Sequence, residues 1–316
     1  NKHFSANSFG YIPDKSQHDA IEQCRVNCLK HSWVIDLDIK GFFDNIDHEL
    51  LMLGVRRFTK EKHILMYVER WLKAPVKLLD GTLKESDGKG TPQGGVISPL
   101  LANIFLHFAF DMWFRKHYPD GAFERYADDI VIHCDYFTDA QNTLVAVEQR
   151  LKECKLELNR SKTKIVHCQN NHKRQSPNKD VKRSFDFLGY TFKPRAVKVN
   201  GRIRTGFTPG ISRKSQKRIS RECYKLKIHR MAHLNIQQIA RILRSKTIGW
   251  INYYGKFRKA EMRGVFRTLN FRIARWVRNK YRRFRRLHWY SAYKWLVDVS
   301  NSFPSLFVHW DHGFRP

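Results

Sequence analysis

The tetrapeptide Tyr126-Ala127-Asp128-Asp129, followed at once by the apolar run Ile130-Val131-Ile132, is the feature that most constrains the fold. This pattern predicts a β-hairpin with the acidic pair at its tight turn, so that both carboxylates leave the sheet side by side. Two like charges held that close are costly unless a cation lies between them. The pattern therefore predicts a divalent metal site, although an acidic pair at a turn is more often merely solvated.

A second acidic segment, residues 34–44, contains a predicted buried strand that ends at Asp38. The chain then breaks at Gly41, and Asp47 is predicted to be the N-cap of a helix. Asp38 and the carboxylates of a neighbouring hairpin would together hold two divalent ions, as in an in-line phosphoryl displacement. Oxygen ligands favour magnesium or manganese over zinc. The other carboxylates in this region are interpreted as solvated or capping groups: Asp36, Asp44 and Asp47.

Between the two acidic segments lies the stretch Gly90-Thr-Pro-Gln-Gly-Gly-Val-Ile-Ser-Pro-Leu100. Its density of Gly, Pro and Ser predicts a shaped loop. Glycine lets a backbone approach a ligand closely, and Gln93 in such a loop can reach a base or sugar. A helix is predicted to follow, because apolar residues recur at Leu101, Ile104, Phe105 and Phe108.

In this order the three segments resemble the A, B and C motifs of reverse transcriptases: Asp38-Ile-Lys-Gly-Phe-Phe-Asp44, Thr91-Pro-Gln-Gly-Gly-Val-Ile-Ser-Pro99 and Tyr126-Ala-Asp-Asp129. More narrowly, the chain is similar to the group II intron-encoded proteins, which combine reverse transcriptase with maturase activity. Tyr11 and Ile12 replace the Phe and Arg of a further family block at residues 8–13. Other similar stretches lie at 158–164, 185–190, 250–254 and 304–310.

The resemblance implies an α+β fold built as a right-hand polymerase. Residues 1–200 would form the palm, with a small antiparallel sheet and partial fingers. Residues 201–286 would form a helical thumb, or maturase domain, and residues 287–316 a short basic tail that binds nucleic acid. The family normally has a fingers region before the block at residues 8–13. The chain is therefore expected to be a fragment or a truncated copy, and the activity of these residues alone stays open.

The resemblance also implies roles for single residues. Asp38, Asp128 and Asp129 would be catalytic, and together with Ile39 they would ligate two Mg²⁺ ions, with Mn²⁺ as an alternative. Phe43 falls where the family has an aromatic gate against the ribose 2′-hydroxyl, although a core aromatic is an equally good interpretation. Lysine at 162 or 164 would supply a cation near the triphosphate. The residues expected to contact substrate are Phe43, Gln93, Gly94, Tyr126, Ala127 and Lys162.

The net charge of +30 indicates a polyanionic partner, and the interleaved aromatic residues described below favour nucleic acid over a membrane surface. Residues 201–316 contain 28 Lys and Arg against 4 Asp and Glu, a net charge of +24, whereas residues 1–200 carry only +6. Aromatic residues interleave with the cations over residues 276–286, a pattern that suits base stacking with phosphate contact. The residues predicted to bind nucleic acid are Arg275, Arg278, Lys280, Arg282, Arg283, Arg285 and Arg286.

The basic region also has helical periodicity. Apolar residues three or four positions apart predict one buried stripe: Phe266, Leu269, Ile273, Trp276, Val277 and Phe284. Two earlier helices are predicted over residues 212–231 and from the N-cap Asn235 to about residue 257. These three helices would form the thumb. A last helix is predicted near residues 291–300.

The remaining features of the sequence indicate the cellular compartment of the protein and say little about its reaction. The sequence contains no apolar stretch of about 18 residues, so it predicts no membrane span. No signal peptide is evident. The six cysteines are interpreted as buried free thiols in a reducing compartment, bacterial cytoplasm or an organelle. Cys24 and Cys28 lie one helical turn apart, but no second Cys/His pair in the sequence completes a metal site. Residues 169–183, polar and basic, are expected to be an exposed insertion.

Two hypotheses follow. The first is an RNA-directed DNA polymerase that is also a maturase: it would bind its intron RNA, use a DNA primer or target and dNTPs, and support splicing and mobility of the intron. The second is a non-catalytic splicing cofactor that only grips intron RNA, with a defence-associated reverse transcriptase as a further alternative and a viral RNA polymerase a weaker one. The three carboxylates favour the first hypothesis, because without metal they would repel RNA.

Overall fold

The computed structural model describes residues 4–77, 80–91, 94–169 and 181–316. The chain divides into two compact units, one of residues 1–188 with 193–207 and the other of residues 189–192 with 208–316. Two sequence predictions lie wholly or mostly outside the described residues: the placement of Gln93 and the exposed insertion over residues 169–183.

The first unit alternates helices with short strands. Its helices are α1 Gln17–Lys30, α2 Phe42–Asn45, α3 His48–Phe58, α4 Lys62–Lys73, α5 Ser98–Leu106, α6 Met112–His117 and α7 Phe137–Glu153. A single π-helical turn, His107–Asp111, joins α5 to α6. Its strands are β1 Trp33–Leu37, β2 Val76–Lys77, β3 Leu83–Lys84, β4 Ala122–Tyr126, β5 Asp129–Cys134, β6 Lys164–His167 and β7 Phe185–Phe187.

Four of these strands form an antiparallel sheet in the order β4-β5-β1-β6. The register pairs Leu37 of β1 with Ile130 of β5, and Asp36 with Val131. Because side chains alternate across a strand, Ile35 and Leu37 face one side of the sheet while Asp36 faces the other. The small antiparallel sheet predicted for a polymerase palm is therefore present.

The two faces of this sheet differ in chemistry. One face packs into a large apolar core that includes Ile35, Ile132, Leu51 of α3 and Phe105 of α5. Burying apolar surface of this kind contributes roughly 25 cal/mol per Å², so this face holds the unit together. The acidic side chains lie on the opposite face of the sheet.

Strands β8 Tyr190–Val199 and β9 Arg202–Ile211 join β7 in a second sheet, in the order β7-β8-β9. The boundary between the two units falls within β8 and β9. Strand β9 covers most of residues 200–210, a segment with glycine at positions 201, 206 and 210.

The second unit is helical, and two of its helices begin directly after Ser212 and Asn235, as the sequence predicts. They are α8 Arg213–Lys225, α9 Ile236–Arg258, α10 Arg263–Lys280, α11 Arg282–Arg285, α12 Trp289–Ser302 and α13 Val308–Asp311. Asn235 caps α9 through a capping box with Gln238. The predicted helix over residues 212–231 is shorter than expected: α8 ends at Lys225, and a 3₁₀ turn, Ile228–Arg230, follows.

The predicted apolar stripe of α10 is buried, and this corrects one interpretation of the basic segment. Trp276 is fully buried and Phe284 is only 7% exposed. Both aromatic rings therefore pack inside the unit and do not stack on bases. The helical period of 3.6 explains the difference, because it turns these rings inward while neighbouring arginines stay outside.

The end of the chain is anchored inside the second unit by Asn270. Its Oδ1 lies 2.8 Å from His309 Nε2 and accepts a 2.9 Å hydrogen bond from Trp310 Nε1, and its Nδ2 donates to the Phe314 carbonyl at 3.0 Å. His309 is fully buried and is thus a packing residue without access to phosphate. No helix within the described ranges is long and apolar enough to cross a membrane.

Burial of His309 makes the stability of the second unit depend on pH. Burial lowers the pKa of His309 to about 3, from an ordinary value of 6.5. Since the unfolded chain binds the proton first, the stabilisation is complete above pH 6.5 and is lost as the pH falls below it. We expect the free energy of unfolding to fall by about 1.4 kcal/mol per pH unit below 6.5. Urea unfolding at pH 7.5 and 5.5 measures this difference in unfolding free energy. In His309→Gln the unfolding free energy should depend less on pH than in wild type, and the same pH dependence in both proteins would contradict the prediction.

Candidate active site

The Tyr126–Asp129 segment forms the predicted hairpin turn. Tyr126 of β4 pairs directly with Asp129 of β5, so that only Ala127 and Asp128 make the turn. Ala127 has a φ of 55°, a left-handed conformation that is uncommon for residues other than glycine. Asp128 therefore lies in the turn itself, and Asp129 is the first residue of β5.

Asp38 lies beside this turn. It follows directly after β1, whose last residue, Leu37, pairs with Ile130. Continuing that antiparallel register by one residue places Asp38 opposite Asp129. Burial, and to a smaller extent the charge of Asp38, raises the pKa of Asp128. The structure thus gathers the three carboxylates that the sequence singles out at one edge of the sheet.

A lysine-containing loop encloses Asp38 from the other side. Lys162 Nζ lies 3.5 Å from Asp38 Oδ2. The backbone N–H of Asp38 donates to Thr163 Oγ1 at 3.2 Å, and its carbonyl accepts from the N–H of Asn159 at 2.8 Å. The next residue, Ile39, is buried and bridges to Leu158. Asp38 is therefore held by its backbone, while its carboxylate stays partly exposed beside the exposed Lys162 ammonium group.

Asp36 is a fourth carboxylate at the site, and its interpretation as a solvated group is wrong. Burial raises the pKa of Asp36 to about 7; Lys164 opposes this shift, and Asp129 and Asp38 add to it. Lys164 Nζ lies 3.9 Å from Asp36 Oδ2. The signal was present in the sequence: a single residue, Leu37, separates Asp36 from Asp38, so an extended strand places both on the same face. Asp47, by contrast, caps α3 as predicted, accepting from the N–H of Leu50.

The glycine-rich loop begins against the segment that follows Asp38. The N–H of Thr91 donates to the Phe43 carbonyl at 2.7 Å, and Gly90 N–H to the Ile46 carbonyl at 2.8 Å. Gly90 has a φ of 84°, and a Cβ there would lie 2.9 Å from the Asp44 carbonyl oxygen. Gly94 lies in an open, exposed part of the loop. Phe43 is partly buried against the apolar core, in agreement with the core interpretation, and its role as a steric gate stays a prediction.

A buried arginine supports the hairpin turn from below. Arg125 is fully buried and donates to both carboxylate oxygens of Asp111 at 2.7 Å. Its Nη1 also donates to Asn103 Oδ1 at 2.9 Å and to the Ala127 carbonyl at 3.1 Å. Burial alone would raise the pKa of Asp111, but the Arg125 guanidinium holds it below its usual value. Sequence reasoning missed this pair, because its members come from different elements.

The block at residues 8–13 is the second support of the turn. Phe9 N–H donates to the Arg125 carbonyl at 2.8 Å, and the Gly10 carbonyl accepts from Asn103 Nδ2 at 2.6 Å. A Cβ on Gly10 would lie 2.4 Å from the backbone nitrogen of Ala127. Tyr11 packs near Tyr126, with ring centroids 6.2 Å apart. This segment thus presses directly against the turn that presents Asp128.

The predicted basic residues lie on the second unit, and they fall into two groups. Arg278 and Lys280 are partly buried and donate to backbone carbonyls of Arg285 and Ala232. The exposed members are Arg275, Arg282, Arg283, Arg285 and Arg286. Arg285, although exposed, also donates to the Asn279 carbonyl at 2.9 Å. The surface available for phosphate contact is therefore smaller than the sequence suggested, because three of the seven cations help to hold the end of α10.

An antiparallel sheet with clustered carboxylates at one strand end, and a lysine beside them, is the palm of a nucleic-acid polymerase. Comparison with known families agrees. Residues 1–192 match the model of the family described as reverse transcriptase (RNA-dependent DNA polymerase), and residues 216–295 match the group II intron maturase-specific domain. The chain belongs to the reverse transcriptase family and contains a group II intron maturase-specific domain, as its motifs predicted.

Several curated proteins are similar to parts of the chain. Protein YkfC of Escherichia coli is 31% identical over 208 residues, 52% of each chain. The group II intron-encoded protein LtrA of Lactococcus lactis is 38% identical over 100 residues, 32% of this chain and 16% of LtrA. A telomerase structure from Candida albicans aligns over 98% of this chain and 52% of its own, with a TM-score of 0.47 and 12% identity. The aligned part of the chain thus covers about half the length of YkfC and a smaller share of the length of LtrA.

Substituting Gly10 tests the contact between residues 8–13 and the turn. Gly10→Ala puts a methyl group into the backbone of Ala127, which cannot yield as a flexible side chain would. We expect the variant to lose about 2 kcal/mol or more of unfolding free energy, measured by urea denaturation. The control is Gly249→Ala, because Gly249 lies in α9 with open space around it; there alanine should stabilise by about 0.5–1 kcal/mol. Equal effects would contradict the proposed contact.

Substituting Arg125 tests the buried ion pair. Arg125→Met leaves Asp111 buried without its partner, and breaking such a pair costs about 3–5 kcal/mol. Arg56→Met is the matched control, because Arg56 pairs with Glu69 at 3.1 Å on the exposed surface, where such pairs contribute about 1 kcal/mol or less. Urea unfolding of both variants measures the difference. A loss at Arg125 no greater than at Arg56 would show that the turn does not depend on this pair.

Proposed function

We propose that this protein is an RNA-directed DNA polymerase of a group II intron, which copies an RNA template into cDNA and also binds its intron RNA as a maturase. The observation that supports the polymerase most strongly is the convergence of Asp38, Asp128 and Asp129 in a chain of the reverse transcriptase family. The maturase role is supported by the maturase-specific domain over residues 216–295.

Membership of this family implies a requirement for a divalent metal, and the residues present fit one. Asp128 has a raised pKa, to which the charge of Asp38 contributes, so a cation between them would relieve an unfavourable interaction. We propose that Asp38, Asp128, Asp129 and the backbone of Ile39 hold two Mg²⁺ ions. Bound there, the ions would supply electrostatic stabilisation of the attacking and leaving oxygens.

The surrounding residues would orient the substrates. Lys162, 3.5 Å from Asp38, is placed to exchange its carboxylate partner for a phosphate of the incoming dNTP. Phe43 would limit the space beside the sugar, while Gln93 and Gly94 would line the template side of the glycine-rich loop. Tyr126 and Ala127 would form the floor under the primer end. The contribution of these groups is positioning and charge neutralisation, which dominate protein catalysis of phosphoryl transfer.

The second unit would hold the nucleic acid. Residues 201–316 have a net charge of +24, and the exposed arginines from Arg275 to Arg286 are free of acidic neighbours in sequence. We propose the division made from the sequence: palm with partial fingers over residues 1–200, thumb or maturase domain over 201–286, and a basic tail over 287–316. Binding to RNA or to a DNA primer should weaken steeply with salt, because each phosphate contact releases counterions.

Primer extension tests the polymerase activity. Wild type is incubated with poly(rA), oligo(dT), dTTP and magnesium at low salt, beside Asp128→Asn. We expect extension by wild type and a loss of about 100-fold or more in the variant, since metal-mediated stabilisation amounts to several kcal/mol. Asp120→Asn, at an exposed turn of the same unit, is the matched control and should extend as wild type does.

Other outcomes separate the alternatives. Equal extension by wild type and Asp128→Asn would contradict the catalytic assignment. Absence of extension by both, with salt-sensitive retention of intron RNA in a gel-shift assay, would favour the non-catalytic splicing cofactor. A polymerase without preference for intron RNA over an unrelated RNA of the same length would favour a defence-associated enzyme.

A further inference from the structure

Beneath the palm sheet, far from solvent, lies a cluster of metal-binding residue types. Cys24 and Cys28 are on successive turns of α1, and Glu124 and His133 are on β4 and β5. The strand register pairs Glu124 with Val131 and Ala122 with His133, so the two side chains are diagonal neighbours on one face. All four residues are at most 4% exposed.

The distances within this cluster are short. One ligand atom from each of Cys24, Glu124 and His133 lies within 4.8 Å of the others. His133 Nε2 is 2.6 Å from Glu124 Oε2, and Asn27 Nδ2 donates to Glu124 Oε1 at 2.6 Å. The Cys28 thiol contacts Cys24, His133 and a further thiol, that of Cys168. Residues far apart in sequence thus bring one thiol, an imidazole and a carboxylate within ligand distance of one another, and a second thiol, that of Cys28, contacts two of the three.

Apolar packing does not account for this arrangement. The same face of the sheet carries Val34, Val131 and Val166, all fully buried, and a carboxylate among such residues is costly unless it is fully satisfied. Asn27 and His133 satisfy the two oxygens of Glu124. His133 Nδ1, however, is buried and has no hydrogen-bond partner of good geometry among the described residues. A buried imidazole nitrogen whose neighbours are thiols is what a metal would complete.

We propose that Cys24, Cys28, Glu124 and His133 form a structural zinc site. Thiolate and imidazole ligands select zinc, whereas the all-carboxylate site at Asp38 and Asp128 suits magnesium. Four protein ligands at a position closed to solvent match a structural site, because a catalytic zinc keeps one position open to water. Asn27, through its hydrogen bond to Glu124, would orient the carboxylate ligand.

The site would fasten α1 to the two strands that carry the catalytic turn. Glu124 lies two residues before Tyr126 on β4, and His133 lies four residues after Asp129 on β5. A metal bound across them would fix both arms of the hairpin to the helix that begins after residues 8–13. The inference concerns the stability of the palm and holds whether or not the chain polymerises DNA.

The first test is the metal content of the wild-type chain. Protein purified without chelator is analysed by plasma mass spectrometry, and we expect about one equivalent of zinc per chain. After the zinc is removed, titration with Co²⁺ should give the near-ultraviolet thiolate-to-cobalt absorption and the visible bands of a tetrahedral ion. Absence of both zinc and these bands, or recovery of iron in place of zinc, would overturn the proposal.

Variants locate the ligands. Cys28→Ser and His133→Ala should each lose at least half of the cobalt absorption, whereas Cys154→Ser, at a buried free thiol of the same unit outside the cluster, should keep it. If Cys28→Ser does not fold, the wild-type titration decides alone. Thiol titration of denatured, metal-free protein should return six free thiols. Four would show a disulfide in place of the metal site and would overturn the proposal.

Discussion

The position of the acidic side chains at the hairpin turn depends on one buried ion pair, that of Arg125 and Asp111. A guanidinium without solvent is tolerated only where every donor has a partner, and here the donors reach Asp111, Asn103 and the Ala127 carbonyl. The π-helical turn that ends at Asp111 brings this carboxylate to the arginine. The backbone of Arg125 also forms hydrogen bonds with the backbone of residues 7 and 9. Arg125, through its backbone and its side chain together, thus joins the N-terminal segment, the helix after the glycine-rich loop and the hairpin.

This dependence explains why a strained turn persists. Ala127 adopts a positive φ, which costs free energy for a residue with a Cβ. The turn is kept in place from below by Arg125 and from the side by Gly10, where a larger residue would collide with the backbone. The surrounding contacts offset the free-energy cost of this conformation. In the resulting turn, Asp128 lies beside Asp38. Preorganisation of this kind is what phosphoryl transfer requires, because the protein contributes mainly geometry and charge.

The two faces of the palm sheet divide the tasks of the first unit. The face with Ile35, Leu37 and Ile132 holds the apolar core. The other face carries the carboxylates at one end and the Cys24–His133 cluster further along, with fully buried valines between. A hard-cation site and a soft-cation site would then share one face without competing, since their ligand types differ. The second unit holds most of the net positive charge of the chain.

Local patterns in the sequence determined much of this protein. The alternation around Asp38 and the Tyr-Ala-Asp-Asp run predicted the strand, the hairpin and the acidic site, and the caps at Asp47 and Asn235 predicted helix starts. These features depend on neighbours in the chain, so a single sequence displays them. The burial of Asp36, the pair of Arg125 with Asp111, and the meeting of Cys24 with His133 depend on which elements pack together. Such contacts join residues far apart in sequence, and only the tertiary structure decided them.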